Sequence, residues 1–274
     1  MTARTLVDGV PCATLSVQDR GLSYGDGLFE TVRVIGDRAP LWSRHMARLA
    51  DGGRRLRMAV PEPGALWNEV LAATAGLGEA VVRITVTRGI GPRGYAPPAE
   101  PVPTRIVAAF PMPTADPRLV AEGLRLRVCD LRLAAQPALA GLKHLNRLEQ
   151  VLARAEWNDP SIHEGLLLDA EDRVVCATMA NVFAVIGGTV VTPPVARCGV
   201  AGVARAEVLA AWQGVHVRDL ALDELRSAQE IFLTSSVRGI LPVQAVGDKV
   251  FASGPVARAM QAHWRVLGFP LELA

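Results

Sequence analysis

Apolar positions along the chain alternate between two rhythms. Short runs rich in Val, Ile and Thr at Glu30 to Ile35, Ala80 to Thr87 and Thr104 to Phe110 predict strands, and Thr5 to Val10 predicts a strand entering a turn, followed by a second near Ala13 to Val17. A helical period takes over in Trp42 to Met58, where Met46, Leu49 and Leu56 share a stripe, and again in Glu62 to Ala75, which Pro61 and Pro63 open. Gly52-Gly53 inside the first stripe predicts a break or kink. After Phe110 the rhythm stops. Pro111, Pro113 and Pro117 punctuate a short polar stretch, which predicts a domain boundary.

The second half is richer in strands. Leu124 to Cys129, Glu164 to Asp169, Arg173 to Cys176, Ala180 to Ile186, Thr189 to Thr192 and Glu230 to Leu233 predict six, with Gly187-Gly188 as a hairpin turn. Leu145, Leu148, Leu152 and Ala155 recur at helical spacing, predicting a helix from the Lys143 region to about Trp157. Further helices are predicted up to about Trp212 and from Pro255 to about Leu267. The expected organisation is an α+β chain with an N-terminal α/β domain over 1–110, a linker over 111–118 and a larger domain over 119–274.

Composition narrows the function classes. The 274 residues are half hydrophobic, one fifth charged and carry a net charge of +2, with acidic and basic residues interspersed. That balance speaks against nucleic acid as the main partner. No run approaches the ~18 apolar residues of a membrane span, and the opening residues lack the apolar core of a signal peptide. Cys12, Cys129, Cys176 and Cys198 show no CxxC spacing, and the five histidines form no HxxxH or HxH pair, so no metal site is expected and a cytoplasmic, reducing setting fits.

Candidate chemistry starts from lysine usage. Arginine carries almost all basic charge, and the only two lysines are Lys143 and Lys249. Lys249 sits in the polar turn Gly247-Asp248-Lys249, whereas Lys143 stands where an apolar segment meets a patterned helix. Position alone leaves two uses open: a capping or surface lysine, or an amine that loses its proton and attacks a carbonyl, which a guanidinium cannot do. Arg88 to Tyr95 is a Gly/Pro-rich loop after a strand, a common place for a mobile functional lid. Gly199 to Arg205 leads directly into a helix, exposing backbone N–H groups, and Thr234-Ser235-Ser236 ends a strand before Gly239; together they outline a phosphate cradle, though each is also an ordinary turn. His45 and Arg48 share a helix face, and Arg48 is either an anion ligand or a solvated arginine.

Taken in order, Asp19-Arg20-Gly21, Tyr24-Gly25-Asp26-Gly27-Leu28-Phe29-Glu30, His45-x-x-Arg48-Leu49, Lys143-His144-Leu145-Asn146, Asn181-Val182-Phe183 and Gly199-Val200-Ala201-Gly202-Val203-x-Arg205 resemble the branched-chain aminotransferase and aminodeoxychorismate lyase superfamily. The segment Gly141 to Gln150 and the loop Arg88 to Tyr95 are most similar to its lyase branch. The resemblance implies a two-domain fold type IV enzyme, similar to D-amino acid aminotransferase, with a β-barrel-like core in the larger domain and pyridoxal 5'-phosphate as cofactor. It implies that Lys143 holds the cofactor as an internal aldimine and later shuttles protons. Arg48 would pair with the cofactor phosphate, the N–H groups of Val203 and Ala204 would bind the same phosphate, and Ser236 and Val237 would complete the cradle. Cys176 and Asn181 would lie at the cofactor. Phe29, Arg93 and Tyr95 would face substrate, with the Arg93 loop serving a neighbouring subunit in a homodimer. The implied reaction, through an external aldimine, releases pyruvate from 4-amino-4-deoxychorismate and leaves 4-aminobenzoate, a folate precursor.

One position departs from the pattern. The superfamily places a glutamate five residues before the asparagine of Asn-x-Phe, where it pairs with the protonated pyridine nitrogen; here that residue is Cys176. A thiol supports a pyridinium poorly unless ionised. This weighs more against an aminotransferase of D-amino or branched-chain amino acids than against the lyase, whose product gains an aromatic ring. It also keeps open a non-catalytic relative that binds a phosphorylated ligand or a partner protein.

Overall fold

A computed structural model describes residues 4–114 and 116–270. The chain divides into two compact units, Met1–Pro113 with Leu142–Asn146, and Thr114–Gly141 with Arg147–Ala274.

The first unit is a sheet with helices packed against it. Its elements are β1 (Arg4–Val7), β2 (Val10–Pro11), α1 (Arg20–Tyr24), β3 (Gly27–Ile35), α2 (Trp42–Leu56), α3 (Pro63–Thr74), β4 (Glu79–Thr87) and β5 (Thr104–Pro111). The strands pair in the order β2-β1-β5-β4-β3, every pair antiparallel. One face of β3 buries Leu28, Val32 and Val34 with Met46, Leu49, Leu66, Val70 and Ile84, the burial alternating from Thr31 onward. The strand expected over Ala13 to Val17 does not form. Cys12 and Thr14 bond to each other locally, and Val17 is left exposed with no partner strand. Nor does α2 break at Gly52-Gly53; it runs unbroken through both. The glycines serve packing instead, since a Cβ at Gly52 would come within 2.8 Å of Leu28 Cδ1 on the sheet beneath.

The second unit contains α4 (Pro117–Ala121), β6 (Leu124–Leu133), α5 (Leu148–Arg154), β7 (Glu164–Asp169), β8 (Val174–Ala177), β9 (Asn181–Ile186), β10 (Thr189–Thr192), α6 (Val203–Ala211), β11 (His216–Val217), α7 (Leu222–Arg226), β12 (Glu230–Ser235), β13 (Gly239–Val246), β14 (Lys249–Val250) and α8 (Pro255–Val266). Its mixed sheet runs β11-β10-β9-β12-β13-β6-β7-β8, with β14 on β13. In that order β8 and β9 stand five steps apart, which a flat sheet would place roughly 24 Å from each other. Yet only Thr178, Met179 and Ala180 join them, and Ala177 N–H donates to Ala180 C=O at 2.8 Å. So short a link forces the sheet to curl back on itself, the half-barrel expected of the larger domain. Leu126, Leu166, Val182, Ile231, Leu233 and Val243 fill the curl, and Phe183 stacks on Phe232 at 5.1 Å. Glu230 caps α8 from a distance, its carboxylate accepting from Val256 N–H at 3.1 Å and from Ala257 N–H at 2.5 Å.

The helix expected from Lys143 onward starts later, at Leu148. Leu148, Val151 and Leu152 are exposed, so the apolar stripe that suggested a buried helix is not core. Ahead of it, residues 142–147 are not helical, and His144 forms an isolated antiparallel bridge with Leu28.

Candidate active site

The backbone from Lys143 C=O to Leu145 N–H is held by β3. Phe29 N–H donates to Lys143 C=O at 2.9 Å, Leu145 N–H donates to Gly27 C=O at 3.1 Å, and His144 bridges Leu28 between them. The strip is thus an added antiparallel strand one bridge long, with Lys143 opposite Phe29. Pairing fixes the face, and Lys143 Nζ lies 4.1 Å from the centroid of the buried Phe29 ring. A helix could not have done this, because its N–H and C=O groups are spent internally. Two residues earlier the chain belongs to the second unit, where Gly141 N–H donates to Gly199 C=O at 2.9 Å and Ala201 N–H to Gly141 C=O at 3.0 Å.

Phe29 and Glu30 point to opposite faces of β3. Glu30 is buried and meets both residues of the α2 face that the spacing singled out. Arg48 Nε donates to Glu30 Oε1 at 2.8 Å, Arg48 Nη2 closes a second bond to Glu30 Oε2, and His45 Nδ1 lies 2.6 Å from Oε2. Burial pushes the Glu30 carboxyl up, but the Arg48 charge and the bonds from Arg48 and His45 overcome it and bring the carboxyl down to about 2. Burial holds His45 below its usual value, so it is neutral at pH 7 and donates Nδ1–H to the carboxylate. Arg48 is therefore an oriented guanidinium rather than a solvated one.

The loop after β4 is pinned rather than mobile. Buried Arg20 donates to the carbonyls of Gly94, Tyr95 and Ala96 at 3.0, 3.0 and 3.3 Å, and Tyr24 Oη accepts from Gly94 N–H at 2.9 Å. Arg88 is structural: it pairs with Asp26 at 2.7 Å and donates to the carbonyls of Leu56 and Arg57. The clamp presents Arg93 and Tyr95 outward. Tyr95 packs edge-on against Tyr24, with 88% of its surface exposed, and Arg93 is exposed beside it.

In the second unit Asn181, Val203 and Ala204 come together. Asn181 Nδ2 donates to Val200 C=O at 2.9 Å, and a Cβ at Gly202 would collide with Asn181 Oδ1. Gly202 is the N-cap of α6 and no side chain caps the helix, so the first-turn N–H groups, Val203 and Ala204 among them, have no partner within it. Across the sheet from Asn181 is Thr234, whose buried hydroxyl has no hydrogen-bond partner among the described residues. The next turn holds Ser236 and Val237. Its shape is set by Ser235 Oγ, which accepts from Val237 N–H at 3.3 Å and Arg238 N–H at 3.0 Å.

Cys176 lies on β8, buried with Cys129, Cys198 and Trp157. Burial pushes its thiol up to about 12, so it is protonated at neutral pH. The acidic residues nearest in sequence are engaged elsewhere: Glu171 pairs with Arg173 at 2.5 Å and Asp172 with Arg132 at 2.8 Å.

The profile of the family described as amino-transferase class IV matches residues 27–246, from the start of β3 to the end of β13. The chain belongs to the class IV aminotransferases. Among its relatives in this family is the aminodeoxychorismate lyase of Vibrio harveyi, 33% identical over 94% of this chain and 98% of that one. The crystal structure of 4-amino-4-deoxychorismate lyase from Pseudomonas aeruginosa superposes with a TM-score of 0.91 at 50% identity, covering 96% of this chain and 98% of that one. A putative branched-chain-amino-acid aminotransferase of Methanocaldococcus jannaschii is 35% identical over 87% of this chain and 84% of its own length.

Class IV enzymes are built for pyridoxal phosphate, and most of the residues here suit it. The Thr234 hydroxyl has no partner among the described residues, the start of α6 has no side-chain cap, and Gly202 closely approaches Asn181, features that suit a tetrahedral anion. Cys176 does not suit a positively charged ring nitrogen. Among the described residues no cluster of His, Cys, Asp and Glu could hold a metal, and no helix is long and apolar enough to cross a membrane. Sequence reasoning missed Glu30, whose alternation onto the α2 side of β3 was its one signal. It also missed the buried Glu164, which pairs with Arg238 at 2.7 Å and with Thr178.

Proposed function

We propose that this protein is a pyridoxal-phosphate-dependent aminodeoxychorismate lyase, which takes 4-amino-4-deoxychorismate to 4-aminobenzoate and pyruvate. The observation that carries the reading is Lys143, one of two lysines in the chain, held by backbone pairing with its amine over the Phe29 ring. The lyase relatives matching nearly the whole chain support the same substrate. Bound pyridoxal phosphate supplies an aldehyde that joins to amines and a conjugated ring that takes up an electron pair.

The residues divide the work. Lys143 would bind the cofactor covalently and, once released, its amine would take the proton from the carbon bearing the substrate nitrogen. The N–H groups of Val203 and Ala204, with Thr234, Ser236 and Val237, would hold the phosphate, and Asn181 keeps the Val200–Gly202 turn in shape for it. Arg48, aimed by Glu30, is an oriented cation suited to an anionic group. Phe29 keeps water from the amine side of Lys143. Cys176, its thiol pushed up to about 12 by burial, is protonated at neutral pH and so offers a protonated ring nitrogen no counter-charge. That favours a reaction with its own driving force, the gain of an aromatic ring, over transamination. The outward Arg93 and Tyr95 would meet substrate in a second copy of the chain, giving a homodimer.

The test is borohydride reduction of the purified yellow protein with peptide mapping, alongside pyruvate release from aminodeoxychorismate without any keto-acid acceptor. The expected adduct is on Lys143, and Lys143→Ala should lack both the adduct and turnover. Turnover that requires a keto acid, or wild-type pyruvate release by Lys143→Ala, would overturn the reading.

A further inference from the structure

Most arginines that line the sheet of the first unit have a carboxylate partner, and Arg83 has none among the described residues. Arg33, Arg48 and Arg105 pair with Glu79, Glu30 and Glu69, and Arg20 and Arg88 share Asp26. Arg83, midway along β4, has no carboxylate, carbonyl or hydroxyl partner among the described residues. Its guanidinium lies over the Phe29 ring, the guanidinium carbon 4.0 Å from the ring centroid.

The register places it on the chemistry's side of the sheet. Phe29 pairs with Thr85 and Thr31 with Arg83, so Arg83 lies diagonally across from Phe29 on the same face. Lys143 is opposite Phe29 on the other flank of β3, and its amine is 4.1 Å from the same centroid. Two cations thus flank one aromatic ring, at most about 8 Å apart. Stacking also strips water from the guanidinium, and that partial burial lowers its pKa. The π face satisfies none of its five N–H donors, while the side chain still reaches solvent. A guanidinium in that condition, beside a reactive amine, is a seat for a planar anion.

We infer that Arg83 is a specificity-determining residue that binds a carboxylate of the substrate, selecting a six-membered-ring amine that carries a carboxylate at the end away from its nitrogen. An amine and a carboxylate at opposite ends of one ring suit two groups so separated, and the fork of Arg83 grips both carboxylate oxygens. This rests on the lyase reading, which supplies the amine chemistry at Lys143. The substrate carries a second carboxylate on its enolpyruvyl arm, and the two sources are separable because the product keeps only the ring carboxylate.

The test uses holoenzyme with Arg83→Met, which keeps an unbranched stem over Phe29, and Arg83→Lys, which keeps the charge but not the fork. Loss of a charged hydrogen-bonded contact should raise KM for aminodeoxychorismate roughly 10- to 100-fold in Arg83→Met with kcat nearly unchanged, and less in Arg83→Lys. The cofactor spectrum should match wild type, so that a folding defect is recognised. Inhibition by 4-aminobenzoate should weaken in parallel while inhibition by aniline stays the same. A raised KM with unchanged 4-aminobenzoate inhibition would overturn the choice of the ring carboxylate and move the contact to the enolpyruvyl arm. A wild-type KM in both variants, with the Lys143 adduct and turnover intact, would overturn the Arg83 assignment alone. No adduct in the wild-type protein would overturn the lyase reading and this inference together.

Discussion

Replacing Glu30 by Gln tests the idea that a buried carboxylate, rather than solvent, holds Arg48. In the folded chain the Glu30 carboxyl is brought down to about 2, against an ordinary value near 4.3. Two units at 1.36 kcal/mol each give about 3 kcal/mol of stability at pH 7. Gln keeps the shape but leaves Arg48, with 13% of its side chain exposed, without that counter-charge, and breaking such a pair from one side costs roughly 3–5 kcal/mol. Because the folded pKa lies below the unfolded one, this stability is complete above about pH 5 and drains away as pH falls towards 2. The gap between wild type and Glu30→Gln should therefore be about 3 kcal/mol at pH 7 and close steadily below pH 5. Urea titrations read by pulsed hydrogen exchange of peptides 27–35 and 42–56 report on this unit alone. Adding Arg48→Met should recover part of the loss, since the uncompensated cation is gone. A cost under ~1 kcal/mol at pH 7, or a gap that does not change with pH, would refute the reasoning.

Other consequences follow from the same geometry. Gly202→Ala should weaken pyridoxal-phosphate binding at least tenfold in a fluorescence titration, because the new methyl collides with Asn181 beside the uncapped start of α6. Ellman's reagent at pH 8 should label Cys12 quickly and Cys129, Cys176 and Cys198 only on unfolding: hydrogen bonding from Thr14 lowers the Cys12 pKa, while burial pushes the other three thiols up to about 12, 12 and 11. Cys176→Glu should lower the melting temperature of the cofactor-free protein, since it buries an unpaired acid, and regain it with pyridoxal phosphate; half-transamination of amino acids should rise, and an unchanged rate would remove Cys176 from the account of reaction choice.

The residues themselves determined a good deal. Period-two runs and Gly/Pro punctuation located most strands, because a half-buried strand must alternate, and the scarcity of lysine singled out Lys143 before any fold was in view. The ordered motifs from Asp19 to Arg205 indicated the class IV fold, and the spacing of His45 and Arg48 put them on one helix face. Local pattern failed where a distant segment supplied the missing partner. The stretch around Lys143 has helical spacing but is not helical, because β3 offers it backbone bonds that a helix would have had to make internally. Gly52-Gly53 looked like a helix break and is a close contact with Leu28, which no scan of α2 alone can reveal. The Arg88 loop looked mobile, yet Arg20, some seventy residues away, clamps three of its carbonyls. Charge compensation was likewise undecidable from sequence. Which arginine meets Glu30 and which lies over an aromatic ring depends on strand register, and only the tertiary structure sets that register.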